Sequence, residues 1–103
     1  MLRRYKPLSF VKTVAVAGTP EYLGNNDRRL YGMTFIAEKA VGTNNVGNVT
    51  IQIDGAAALI LEPGEMYTWP QPPFEAGYFM PEDFKIDVAT AGDGVRCLTN
   101  ILL

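Results

Sequence analysis

The run NNVGNVTIQIDG, residues 44–55, places Val49, Ile51 and Ile53 on one side of an extended chain and Thr50, Gln52 and Asp54 on the other, because side chains change face at every residue of a strand. Such a segment is stable only when its apolar side is covered and its polar side is left in water. Asp54-Gly55 supplies the positive φ required at the centre of a two-residue type I′ turn, so residues 56–62 are expected to fold back on 48–53. The same alternation recurs along the chain. Ser9 to Ala17 (SFVKTVAVA) reads as the first strand, and Leu30 to Lys39 as a strand bulged at Gly32. Glu62-Pro63-Gly64-Glu65 reads as a type II turn ahead of a strand at Met66–Trp69. Phe74 to Met80 is a weaker strand, and Phe84–Thr90 with Val95–Leu102 reads as a closing hairpin turned at Ala91-Gly92-Asp93-Gly94. Seven to eight short strands without a long helix predict an all-β fold, an antiparallel β-sandwich or jelly-roll-like barrel. One domain spans 1–103, with residues 1–7 as an N-terminal docking arm.

A chain of 103 residues, 48% of them hydrophobic and 19% charged, buries about 65% of its unfolded surface and folds without covalent staples. Cys97 is the sole cysteine, so no intramolecular disulfide forms, and its place in an alternating run predicts a small buried apolar group. No stretch approaches the roughly 18 apolar residues of a membrane span, and a soluble chain is expected. The net charge of −2 conceals an asymmetry: Arg3, Arg4, Lys6, Lys12, Arg28 and Arg29 against Glu21 and Asp27 leave residues 1–29 at +4, and the remainder at −6. A basic N-terminal part facing an acidic protein neighbour fits this better than a phosphate backbone does.

The chain holds no histidine, which removes Ser-His and Cys-His nucleophile pairs and the imidazole ligands of zinc sites. Carboxylates remain. Adjacent Glu82 and Asp83 diverge on an extended chain, Glu62 and Glu65 flank a turn, and Asp87 with Asp93 forms a weak calcium candidate. Gly92-Asp93-Gly94 lacks the lysine and helix of a phosphate loop. No catalytic residue, cofactor or metal site is therefore assigned. Tyr67, Trp69, Phe74, Tyr78, Phe79 and Phe84 cluster instead with Pro70, Pro72, Pro73 and Pro81. Trp69, Phe79 and Phe84 suit a core, whereas a proline-stiffened segment presenting Phe74 and Tyr78 suits a protein contact, because little entropy is lost when it docks.

Asn45-Val46-Gly47-Asn48-Val49-Thr50-Ile51, Leu61-Glu62-Pro63-Gly64-Glu65, Phe84-Lys85-Ile86-Asp87-Val88 and Gly92-Asp93-Gly94-Val95, in that order, resemble a layout in small virion proteins of tailed bacteriophages. These place an N-x-G-x-V-x-I strand before an L-x-P-G-E turn and a closing G-D-x-V element. The resemblance covers roughly residues 43–102. It implies a non-enzymatic cement or decoration module on the capsid surface, often trimeric, assembled in the bacterial cytoplasm and bound to the major capsid protein, with no nucleic-acid or membrane partner. The contact residues come from the reading of this chain: Leu2, Arg3, Arg4 and Tyr5 in the arm, Tyr22, Arg28 and Arg29 in the next loop, and Trp69, Phe74 and Tyr78 in the aromatic segment. The competing expectation is a carbohydrate- or receptor-binding module of a phage tail or neck, with Trp69 and Tyr67 or Tyr78 stacking on sugar rings.

Overall fold

The computed structural model describes residues 4–24, 28–53, 58–69 and 77–102. Their strands are β1 (Tyr5–Thr13), β2 (Glu21–Tyr22), β3 (Tyr31–Ile36), β4 (Glu38–Ala40), β5 (Thr43–Asn44), β6 (Val49–Ile53), β7 (Leu59–Leu61), β8 (Met66–Trp69), β9 (Phe84–Val88) and β10 (Gly94–Leu102), with a single 3-10 turn at Pro81–Asp83. The protein is all-β, as the alternation predicts. One sheet has the order β1-β10-β3-β8 and the other β2-β9-β6-β7, while β4 and β5 form a small hairpin between them in sequence. The pairs β1 with β10, β2 with β9, β3 with β8 and β6 with β7 are all antiparallel. This nesting of first with last is a long antiparallel ribbon rolled across two sheets, the jelly-roll connectivity.

The two sheets close on each other through their apolar sides. Val49, Ile51 and Ile53 of β6 and Phe84, Ile86 and Val88 of β9 meet Met33 and Phe35 of β3 and Val95 and Cys97 of β10, all buried. Phe35 crosses the gap to Phe84 edge-on at 5.0 Å, and Phe79 lies 5.0 Å from Phe84. Each buried large side chain contributes about 1.5–3 kcal/mol. Burial pushes the Cys97 thiol well above its ordinary pKa, which leaves it an inert filler.

Several expectations are corrected. The first strand begins at Tyr5 rather than Ser9, so Tyr5, Lys6 and Pro7 of the expected arm pair with Leu102, Ile101 and Asn100. Pro7 is tolerated because β1 is an edge strand, where one side of the backbone has no ladder to serve. A two-residue turn at Asp54-Gly55 would set Ile51 against Ala58, but Ile51 pairs with Leu59. The extra residue puts Leu59 and Leu61 on the core face and leaves Ile60 outside at 62% exposure; burying two leucines outweighs the ideal turn, since a one-residue slip reverses every side chain. The turn itself lies outside the described residues. The closing hairpin is absent: β9 and β10 belong to different sheets, and residues 89–93 arch between them. Of the weak strand at 74–80, the described part makes only a bridge from Phe79 to Leu30. The type II turn is as read, with Gly64 at φ 80° and the Glu65 N–H donating to the Glu62 carbonyl at 2.9 Å.

The arch at 89–93 is held by a buried polar clasp. Asp93 is 1% exposed; its carboxylate accepts the Val46 N–H at 3.0 Å and the Gly47 N–H at 2.8 Å. Its carbonyl accepts the Val14 N–H at 2.9 Å. Asn45 reads the same corner with both ends of its amide, accepting from the Gly94 N–H at 3.0 Å and donating to the Gly94 carbonyl at 2.7 Å. Gly94 is required there because a Cβ would stand 2.0 Å from the Lys12 carbonyl oxygen. Removing the Asp93 carboxylate leaves two partly buried amides without their acceptor, at about 1–2 kcal/mol each. Asp93→Ala should therefore lower the unfolding free energy by about 2–4 kcal/mol in urea titrations, with Asp93→Asn costing less because its carbonyl still accepts.

Across the open side of the sandwich, Lys12 of β1 bonds Glu21 of β2 at 2.9 Å, and the Ala15 N–H donates to the same carboxylate at 3.3 Å. The Lys12 hydrogen bond, helped by Ala15, holds the Glu21 pKa below its usual value. The stabilisation is thus present above the unfolded glutamate pKa and fades as pH falls through the lowered folded value. A carboxyl-carbon NMR titration should place the Glu21 midpoint below that of an exposed glutamate, and Lys12→Ala should raise it toward the ordinary value.

Candidate docking surface

The connections of the jelly roll divide between its two ends. The clasp occupies one, with residues 14–20, 37–48, 62–65 and 89–93. The start of β1, residues 23–24 and 28–30 and the approach to β9 from residue 77 share the other, and there Arg4, Tyr5, Arg28, Arg29 and Tyr78 lie. Gly32 shapes this end. Its φ of 72° lets the backbone turn through the left-handed region, and the pairing of β3 with β10 shifts register between Thr99 and Asn100 at this point. The Thr99 hydroxyl donates to the Gly32 carbonyl and fixes the bulge. Beyond it Tyr31 stands opposite Asn100 instead of continuing on the core face of Met33 and Phe35.

Tyr31 thereby joins candidates that are distant in sequence. Tyr5, 47% exposed, meets its ring edge-on at 5.2 Å, Tyr78 tilts against it at 6.1 Å, and the Arg29 guanidinium lies 4.8 Å from the centre of the Tyr78 ring. A cation over an aromatic face gains about 0.5–1 kcal/mol when exposed and more when a partner removes the water. Arg4 is exposed next to Tyr5. Arg28, with Leu8, Phe10, Leu23, Leu30 and Pro81, lines a pocket of about 190 Å³. One end of the molecule therefore carries three tyrosines, a basic rim and a small apolar recess.

The remaining candidates go elsewhere or beyond view. Tyr22 faces outward from β2, 5.0 Å beneath the Lys85 ammonium, on the opposite sheet. Trp69 turns inward, edge-on to Phe35 at 5.9 Å and 6.2 Å from Phe84, so its ring completes the core; Tyr67 packs on it at 5.0 Å. Leu2, Arg3 and Phe74 lie outside the described residues. Tyr31 was missed because it was read only as a strand residue, although the bulge expected at Gly32 already implied a reversal of its face.

Four of the six acids weighed for chemistry, Glu65, Asp83, Asp87 and Asp93, accept backbone amides. Asp83 accepts the Met80 N–H at 2.7 Å, Glu65 the Glu62 N–H at 2.6 Å, and Asp87 the Gly18 N–H at 2.9 Å. Asp87 and Asp93 serve separate amides rather than a common centre, and among the described residues no three Asp, Glu, Cys or His side chains group as a metal site. Replacing Gly32 by alanine should lower stability by about 1–2 kcal/mol, because an L-residue is forced into the left-handed region, and should weaken the NMR contacts between the Tyr5 and Tyr31 rings.

No family model matches the chain, and no curated protein or solved structure matches it significantly, so the reading of this surface rests on its own residues.

Proposed function

We propose that the protein is a non-enzymatic structural component of a tailed-phage virion, a cement or decoration module that binds the major capsid protein shell. The observation that carries this reading is the Tyr5–Tyr31–Tyr78–Arg29 cluster, on a scaffold where Glu65, Asp83, Asp87 and Asp93 are bound to backbone amides. Tyrosine and arginine dominate the energetics of protein interfaces, because both present large rigid planes with polar ends. The jelly roll hosts viral capsid domains among other functions, which is compatible with the reading by analogy of fold alone, and the ordered motif set adds to it by resemblance. In this scheme the basic rim faces an acidic strip of the shell, the small recess takes an apolar side chain, and many copies act together.

Sedimentation with phage heads lacking the protein provides the test. The wild-type chain should pellet with the heads and protect them from disruption by heat, whereas Arg29→Glu combined with Tyr78→Ala should lower occupancy about tenfold or more. Absence of the chain from purified virions, together with no sedimentation, would overturn the proposal.

A further inference from the structure

A second feature lies on the outer face of the larger sheet. Strand register places Ser9, Leu98, Thr34 and Thr68 in one row across its four strands, Pro7 and Asn100 with Tyr31 in the row toward the tyrosine end, and Val11, Arg96, Ile36 and Met66 in the row toward the clasp. Between the first two rows the surface sinks into a depression of about 460 Å³, within the range of small-ligand sites. Its floor is open because the bulge glycine, Gly32, and the short side chains of Ser9, Thr34 and Thr68 line it.

The chemistry of the lining is selective. None of its ten residues is charged, and the one charged side chain in the neighbouring row, Arg96, is turned to Glu38 at 3.4 Å. An anionic or cationic ligand would find no counter-charge in the lining and would lose hydration on entering. What the depression offers is neutral hydrogen bonding. The Thr34 and Thr68 hydroxyls share one bond at 2.8 Å, which leaves the pair one donor proton and several lone pairs for a ligand. Ser9 and Asn100 add an exposed hydroxyl and an exposed amide. Tyr5, on the same face two residues before Pro7 and outside the lining itself, adds an aromatic ring that is 47% exposed. The opposite sheet lacks this combination: its outer face carries Lys85 and Asp87.

From this juxtaposition we propose that the depression between Ser9, Thr34, Thr68 and Asn100 binds a neutral oligosaccharide, its hydroxyls meeting the threonine pair and the asparagine amide while a sugar face packs on Tyr5. A polyhydroxylated, uncharged, ring-shaped ligand is the class that satisfies dispersed neutral donors and acceptors and an aromatic plane together. The site shares Tyr5 with the docking cluster but uses neither Arg29 nor Tyr78, so substitutions at those two residues separate glycan binding from shell binding.

A glycan array carrying neutral and acidic glycans, probed with the full chain, should show retention confined to neutral structures. Titration of the best-retained neutral glycan into isotope-labelled protein should shift the Thr34, Thr68 and Asn100 amides. Thr34→Arg, which fills the trough, and Tyr5→Ala, which removes the plane, should each weaken binding about tenfold or more while the rest of the amide spectrum keeps its dispersion. The Arg29→Glu, Tyr78→Ala pair should bind glycan as the wild type does. Retention of no neutral glycan, equal retention of acidic ones, or shifts confined to other surfaces would overturn the proposal. So would concentration-dependent dimerisation that protects the same amides, which would assign the face to a second copy of the chain.

Discussion

A single buried carboxylate holds the two-sheet architecture in register. Asp93 sits where the chain leaves one sheet for the other, and through its side chain and carbonyl it reaches two separate earlier parts of the sequence: Val46 and Gly47 from the connection into β6, and Val14 from the exit of β1. Asn45 adds a reciprocal pair of bonds to Gly94. A carboxyl group so fully removed from water is tolerable only when hydrogen-bond partners surround it, and here those partners are backbone amides of a loop that would otherwise have no ladder partner. Each side thus resolves the other's unsatisfied polarity. Ala37 extends the arrangement, its carbonyl accepting from Asn45 and Gly64 and its N–H donating to Glu65. Connections that would be loose in isolation are cross-tied into a rigid floor.

That rigidity at one end gives meaning to the composition of the other. The tyrosine cluster and basic rim stand on the starts and ends of strands whose opposite termini are pinned, so their geometry is set before any partner arrives. Pre-organisation of this kind is what allows a modest surface to bind usefully, since side-chain and loop ordering is the usual cost of association.

Much of this was legible in the residues. Alternation identified β6 with its faces, the proline–glycine pair identified the turn before β8, and Gly32 announced its bulge. Periodicity alone could not reveal which strands are neighbours. β9 and β10 have every local mark of a hairpin, yet the chain between them crosses the sandwich, because Asp93 and Gly94 are claimed by Asn45, Val46 and Lys12 far away in sequence. In the same way the register of β6 with β7 was decided by the burial of Leu59 and Leu61 rather than by the turn chemistry of Asp54-Gly55. The motifs behind the phage resemblance, Asn45 to Ile51, Leu61 to Glu65 and Gly92 to Val95, prove to be spatial neighbours around one junction. Their spacing encodes how this corner is built, which is why they carried no contact residues. The docking cluster was half legible: Tyr5, Arg29 and Tyr78 stood out by residue type, but only the reversal at Gly32 brings Tyr31 between them.

The placement of Pro7 in the outermost strand has a bearing on life in a crowd. A nine-residue border with an intact row of amides is a template on which another polypeptide can extend the pleat, and repetition of that event yields filaments. A ring nitrogen without hydrogen, flanked in sequence by the basic side chain of Lys6, interrupts that template at its third residue. On this one border, edge-to-edge extension of the sheet is therefore disfavoured.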